Sequence, residues 1–204
     1  MNTLHRAGCG VILTAALVSA LGGCGGKDFT RPSPDTFKLG QTSYSQVVQK
    51  MGEPPKTSDV LKNGKNIKAA TYSFASKGGE PLEEDVIPAR ALTYFFFDNT
   101  LVGQAFISSF KSDNSNFDDK QVEKIKKGVT TRAEVIGLLG EPTATFIPPM
   151  VKETSGEAIG YTYQAVRGGL FSGLKVSIKS LRISFDAAGL VSDVEYTSES
   201  SGNK

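Results

Sequence analysis

Tryptophan is absent from the 204 residues, and the chain holds only one histidine and two cysteines. All three sit at the amino end, as His5, Cys9 and Cys24. If the first 23 residues are a leader, 181 of the 204 remain, with no histidine and one cysteine. No intramolecular disulfide can then form even in an oxidising compartment, and apolar burial must hold the core together. Ser–His and Cys–His nucleophilic arrangements are unavailable, as are zinc sites built on His and Cys. No motif points to a carboxylate pair, a Ser–Lys dyad, a cofactor or a small-molecule substrate, so a non-enzymatic protein is expected. Charge of one sign is lacking too. Lys and Arg number 23 against 21 Asp and Glu, and a nucleic-acid binder would be strongly basic. The apolar run from Val11 to Leu21 falls far short of the roughly 20 residues a membrane-spanning helix needs.

That run, preceded by Arg6, reads as an export signal. It ends in Leu21-Gly22-Gly23-Cys24, which resembles a bacterial lipobox, where small residues precede a cysteine that is diacylated on sulfur before cleavage. On this reading residues 1–23 are a signal peptide and Cys24, the lipid-attachment site, becomes the first mature residue. Membrane attachment then comes from lipid rather than charge. Cys9 lies ahead of the apolar run and leaves with the leader. Gly25, rather than Asp, after the cysteine fits the enteric rule for export to the outer membrane. Residues 24–36 are Gly-, Pro- and polar-rich without periodicity, and are expected to form a tether.

The rest of the chain repeats itself. "GQTSYSQVVQKMGEP" from Gly40 returns as "GVTTRAEVIGLLGEP" from Gly128, 88 positions on. Ser43 with Gln46, and Thr131 with Glu134, fit the capping box that opens a helix. Val47, Val48 and Met51 in one copy, and Val135, Ile136, Leu138 and Leu139 in the other, supply an inward stripe. Gly52 and Gly140 stop each helix, and Pro54 and Pro142 cannot continue it. "NFDDKQVEKIKKG" predicts a further helix with Val122 and Ile125 inward. Period-2 stretches follow each copy: "ATYSF", "RALTYFFFD" and "LVGQAFISSF", then "GYTYQAV", "LKVSIKSLRISF" and "LVSDVEYTS". In the last set Leu181, Ile183 and Phe185 share one face, and Arg182 and Ser184 the other. The expectation is an α+β protein of two tandem ααβββ units, residues 37–112 and 113–204, each a helix pair on a three-stranded antiparallel sheet.

Gly128, Thr130, Thr131, Val135, Leu138, Leu139, Gly140 and Pro142, followed by Tyr161-Thr162-Tyr163 and "ISFDAAGLV", resemble the SmpA/OmlA domain of the BamE family of outer-membrane lipoproteins. The first unit matches in the same order but less well. The resemblance implies helices packed on an antiparallel sheet, a lipid anchor in the outer membrane facing the periplasm, and an accessory role in outer-membrane protein assembly or envelope integrity. The expected partners are the membrane, through Cys24, and an envelope protein or assembly complex. Two tandem units also resemble β-lactamase inhibitory protein, which binds an enzyme with its sheet, so a periplasmic inhibitor is the alternative.

Three further stretches bear on binding. "GGLFSGLKVS" at 168–177 lacks the Gly-Lys-Ser/Thr of a phosphate-binding loop, since Leu174 follows Gly173, and reads as a glycine-rich hairpin. The acidic run Glu80, Glu83, Glu84, Asp85 lacks the ligand spacing of a calcium loop and reads as a solvated connection. In "LTYFFFD", matching Thr93, Phe95 and Phe97 to Leu181, Ile183 and Phe185 sends Tyr94 and Phe96 to the outer face. There they mark either a contact between units or a partner-binding surface.

Overall fold

The computed structural model describes residues 25–76, 78–152, 156–169 and 173–202. Two α-helices, α1 (Tyr44–Met51) and α2 (Arg132–Leu139), accompany eight strands. These are β1 (Lys56–Lys62), β2 (Lys65–Ala75), β3 (Ala89–Phe97), β4 (Thr100–Ser108), β5 (Ala144–Phe146), β6 (Glu157–Gly169), β7 (Gly173–Phe185) and β8 (Val191–Gly202). All eight pair in sequence order in one sheet, every neighbour antiparallel, and the sheet curls into a half-barrel.

This corrects the expected two ααβββ units in three respects. The sheet does not stop between the halves, because β5 pairs with β4 through Gly103↔Phe146, Gln104↔Thr145 and Ala105↔Ala144, and with β6 on its other side. Each half holds a fourth strand, β1 or β5. β1 shows no apolar alternation because it is an exposed edge, and β5 is three residues long, too short to display a period. The second helix of each expected unit is not an α-helix: ahead of α1 the expected tether holds the 3-10 turn Pro34–Thr36, and "NFDDKQVEKIKKG" forms only the short 3-10 helix Asp119–Lys124. In the latter, Asp118 accepts from the Lys120 amide, and the chain turns extended at Ile125, whose side chain is buried. Tertiary burial overrides helix propensity there.

The repeated stretch builds the same local device twice. Ser43 accepts from the Gln46 amide at 3.3 Å while Gln46 accepts from the Ser43 amide at 2.7 Å. Thr131 and Glu134 do likewise at 3.3 and 2.8 Å, and such a cap is worth about 1 kcal/mol. Gly52 and Gly140 end the helices at φ of 82° and 80°, a conformation without steric cost only for glycine. Their carbonyls accept from Tyr72 Oη at 2.7 Å and Tyr161 Oη at 2.9 Å, which ties each helix end to the strand beneath it. At the other end the Leu101 and Val191 amides donate to Thr42 and Thr130 carbonyls at 2.8 and 2.9 Å.

Both helices cover the same sheet face. Val47 of α1 seats among Ala70, Tyr72, Leu92, Tyr94, Phe96, Leu101 and Phe106. Val135 of α2 seats among Ile159, Tyr161, Leu181, Ile183, Phe185 and Val191, with Ile125 buried beside it and Val122 partly so. The opposite face is also covered in part, by Ile67, Ala69, Phe95, Ala105, Ala144, Phe146 and Ala158 with Met150 and Val151 from the β5–β6 connection.

One cap is titratable. The Thr131 amide, then the Thr131 hydroxyl, hold the Glu134 carboxyl below its usual value. A carboxylate whose folded pKa is depressed contributes stability above its unfolded pKa, about 4.3, and that contribution disappears as pH falls through the folded value. Glu134→Gln keeps the acceptor, as Gln46 does in α1, and removes the titration. Thermal melts of the variant should match wild type at pH 7 and fall less steeply below about pH 4. An unchanged acid limb would contradict this account of the cap.

Candidate protein-binding surface

Tyr94 and Phe96 do not lie on an outer face. They point toward α1 and are 1% and 2% exposed. Tyr94 meets Phe37 edge-on at 5.3 Å, and Phe96 meets Tyr44 at 5.2 Å. Burial pushes the Tyr94 phenol up, and Tyr72 nearby adds to the shift. Tyr72, also desolvated, is pushed up to about 12.

The expected face was wrong by one residue. Phe96 pairs with Leu101 and Phe185 with Val191, and Leu101 and Val191 hold the equivalent bonds beneath the two helices. Leu92, Tyr94 and Phe96 therefore match Leu181, Ile183 and Phe185. The β3–β4 turn is the two residues Asp98-Asn99, both at positive φ, whereas residues 186–190 join β7 to β8. Matching the two aspartates slides the strands by one position, and a one-residue slip exchanges faces.

Cys24 lies outside the described residues. Those that follow it, expected to hang free, lie against the body. The Ala75 amide donates to the Gly25 carbonyl at 2.8 Å, Phe29 packs on Tyr72, and the Arg31 guanidinium sits 4.8 Å from the centre of the Phe106 ring. The acidic run is docked as well. Val86 bridges to Arg167, Glu83 pairs with Arg167, and Glu80 with Lys111 at 2.7 Å. The glycine-rich stretch joins β6 to β7 through the Gly169↔Gly173 pair. Among the described residues no group of three or more His, Cys, Asp or Glu could hold a metal ion.

Among the described residues, one cleft with the shape of a recognition site has no counterpart in the expectations from sequence. A cleft of about 490 Å³ opens where the β1–β2 turn, the connection at 150–152 and the β7–β8 end converge. Lys62, Lys127, Lys152 and Arg182 line it with Glu157, Asp193 and Glu195. Alternation along β7 carries Arg182 and Ser184 to the face away from α2, as expected. Arg182 donates to the Met150 carbonyl at 2.7 Å and lies 5.4 Å from the Phe146 ring centre. Asn63 donates to the Pro149 carbonyl at 2.8 Å and fastens the β1–β2 turn to the rim, while Glu157 is held by Arg132 at 2.9 Å. Asp193 and Glu195 are exposed. Mixed charge on the rim suits complementary protein contacts rather than a single ionic ligand. The signal that could have located this turn is "Lys62-Asn63-Gly64-Lys65", since Asn-Gly favours a two-residue hairpin.

Residues 116–195 match the family described as the outer membrane protein assembly factor BamE domain. No curated protein matches the chain. A solved structure of a candidate beta-lactamase inhibitor protein from Streptococcus mutans is similar at a TM-score of 0.40 and 16% identity, over 76% of this chain and 82% of that one.

Proposed function

We propose that the chain is a lipoprotein acylated on Cys24, anchored in the outer membrane, facing the periplasm, and acting without catalysis as a protein-binding accessory in outer-membrane protein assembly or envelope integrity. The match of residues 116–195 to the BamE domain carries this reading. The lipobox-like Leu21-Gly22-Gly23-Cys24 supports it independently. Residues 37–112 repeat the capping box, the glycine stop and the tyrosine tie of that matched region, and we read them as a second, diverged copy of the domain.

In this reading the charged cleft receives the partner. Asp193→Lys with Glu195→Lys reverses two exposed charges, and because Glu195 stands opposite Arg182 across β7 and β8, circular dichroism of the variant checks that it is folded. Crosslinking from membranes followed by capture of the chain should recover assembly proteins with wild type, and at least about tenfold less with the double variant, as expected when like charges face one another. Equal recovery would remove the cleft from the proposal. Recovery of one soluble enzyme in place of assembly proteins would favour the inhibitor alternative.

A further inference from the structure

Resting on the proposed acylation of Cys24, we infer that the docked residues 25–37 orient the molecule. They hold the end of the sheet carrying the β2–β3 and β6–β7 connections against the lipid bilayer, and turn the charged cleft away from it.

Free, the twelve residues from Gly25 to Thr36 would reach about 40 Å when extended, or about 20 Å on average as a flexible chain. The body could then take any attitude to the membrane. The structure removes that slack. β1 pairs with β2 only as far as Lys56↔Thr71, leaving the last residues of β2 without a neighbour on that side. Gly25 and Gly26 occupy this place. The Gly25 carbonyl accepts from the Ala75 amide at 2.8 Å. A Cβ on Gly25 would collide with the Ala75 carbonyl oxygen, and one on Gly26 with that of Ser73; Gly26 also adopts a φ of +70°. Only glycines allow so close an approach.

Beyond them the segment is pinned repeatedly. Arg90 donates to the Phe29 carbonyl at 3.2 Å and stands 4.0 Å from Asp28, Arg31 lies over Phe106, and Phe37 is buried beneath α1. Whatever is joined to the amino side of Gly25 therefore begins one peptide, about 3.8 Å, from a residue hydrogen-bonded to the end of β2. The antiparallel order places the ends of β2, β4 and β6 and the starts of β3 and β7 together at that end. The Asn63, Asp98 and Asp186 turns lie at the other end, with the cleft beside the first and last of them. Thirteen residues of β7 separate the two ends, about 40 Å at 3.3 Å per residue. An acyl anchor on Cys24, joined directly to Gly25, thus presents the cleft to the far side from the bilayer.

The test uses the mature, acylated full chain in vesicles of phosphatidylethanolamine and phosphatidylglycerol carrying a headgroup nitroxide. Acylation leaves no free thiol, so Glu84→Cys and Ala187→Cys, both at exposed positions and at opposite ends, can each carry a fluorophore. The Glu84→Cys label should be quenched several-fold more than the Ala187→Cys label. Adding Gly26→Val, which expels the segment from β2, should abolish the difference while far-ultraviolet circular dichroism and acyl mass stay as in wild type. Equal quenching at both ends of the acylated chain overturns the orientation. A difference that survives Gly26→Val overturns the docked segment as its cause. A chain whose mass shows no acyl group overturns the anchor reading, and the orientation with it.

Discussion

Tyr94→Ala and Phe96→Ala should each lower the free energy of unfolding by about 3–5 kcal/mol, the usual cost of emptying a buried aromatic site. Both side chains are essentially sealed, and each has an edge-on aromatic partner, Phe37 or Tyr44. The neighbours come from the segment before α1 and from α1 itself, so collapse around the cavity would require both to shift. Against a total stability of about 5–15 kcal/mol, either loss is a large fraction, and the pair should not add simply because the two sites share one cluster. Urea unfolding of the singles and the double measures this. Phe96→Leu, closer in volume, should cost distinctly less and still capture whatever partner wild type captures. If Tyr94→Ala kept wild-type stability and lost only partner capture, these rings would be recognition elements and the packing account would be wrong.

On the proposed acylation of Cys24, Cys24→Ser should abolish metabolic labelling with palmitate and move the protein from the membrane to the soluble fraction. Each buried methylene contributes about 0.8 kcal/mol to bilayer attachment, and two chains anchor stably where a single short chain is marginal. A serine hydroxyl cannot be modified in place of the thiol, so the whole contribution is lost at once. The fold should be indifferent. Residue 24 precedes the docked Gly25, and the first aromatic side chain packed on the body is Phe29. Equal labelling of the serine variant would show that the anchor is elsewhere. A drop in melting temperature of the purified body would show that residue 24 takes part in the fold.

How far the architecture could be read in advance varied from element to element. Both capping boxes and both glycine stops were legible because each is a local device, complete within about twelve residues and dictated by side-chain chemistry. β7 was legible where alternation between a buried and a less buried face leaves a period of two, and β2, β3, β4, β6 and β8 as short runs rich in β-branched and aromatic residues. β1 and β5 left no such trace, one being an exposed edge and the other too short. The cleft was hidden because it joins Asn63 to Arg182, residues that only sheet curvature brings to one rim.

From its residues alone this chain declares a lipobox-like cysteine, a stretch from residue 25 onward with neither cysteine nor histidine, two capped helices and the resemblance that residues 116–195 sustain. These are properties of covalent order and nearest neighbours. Tertiary structure decided that the strands form one continuous sheet, that Tyr94 and Phe96 face inward, and that residues 25–37 are docked. The reason is common to all three. Pairing register and edge occupancy depend on contacts between residues distant in sequence, and a shift of one residue, invisible in a hydropathy pattern rich in aromatics on both faces, exchanges inside for outside.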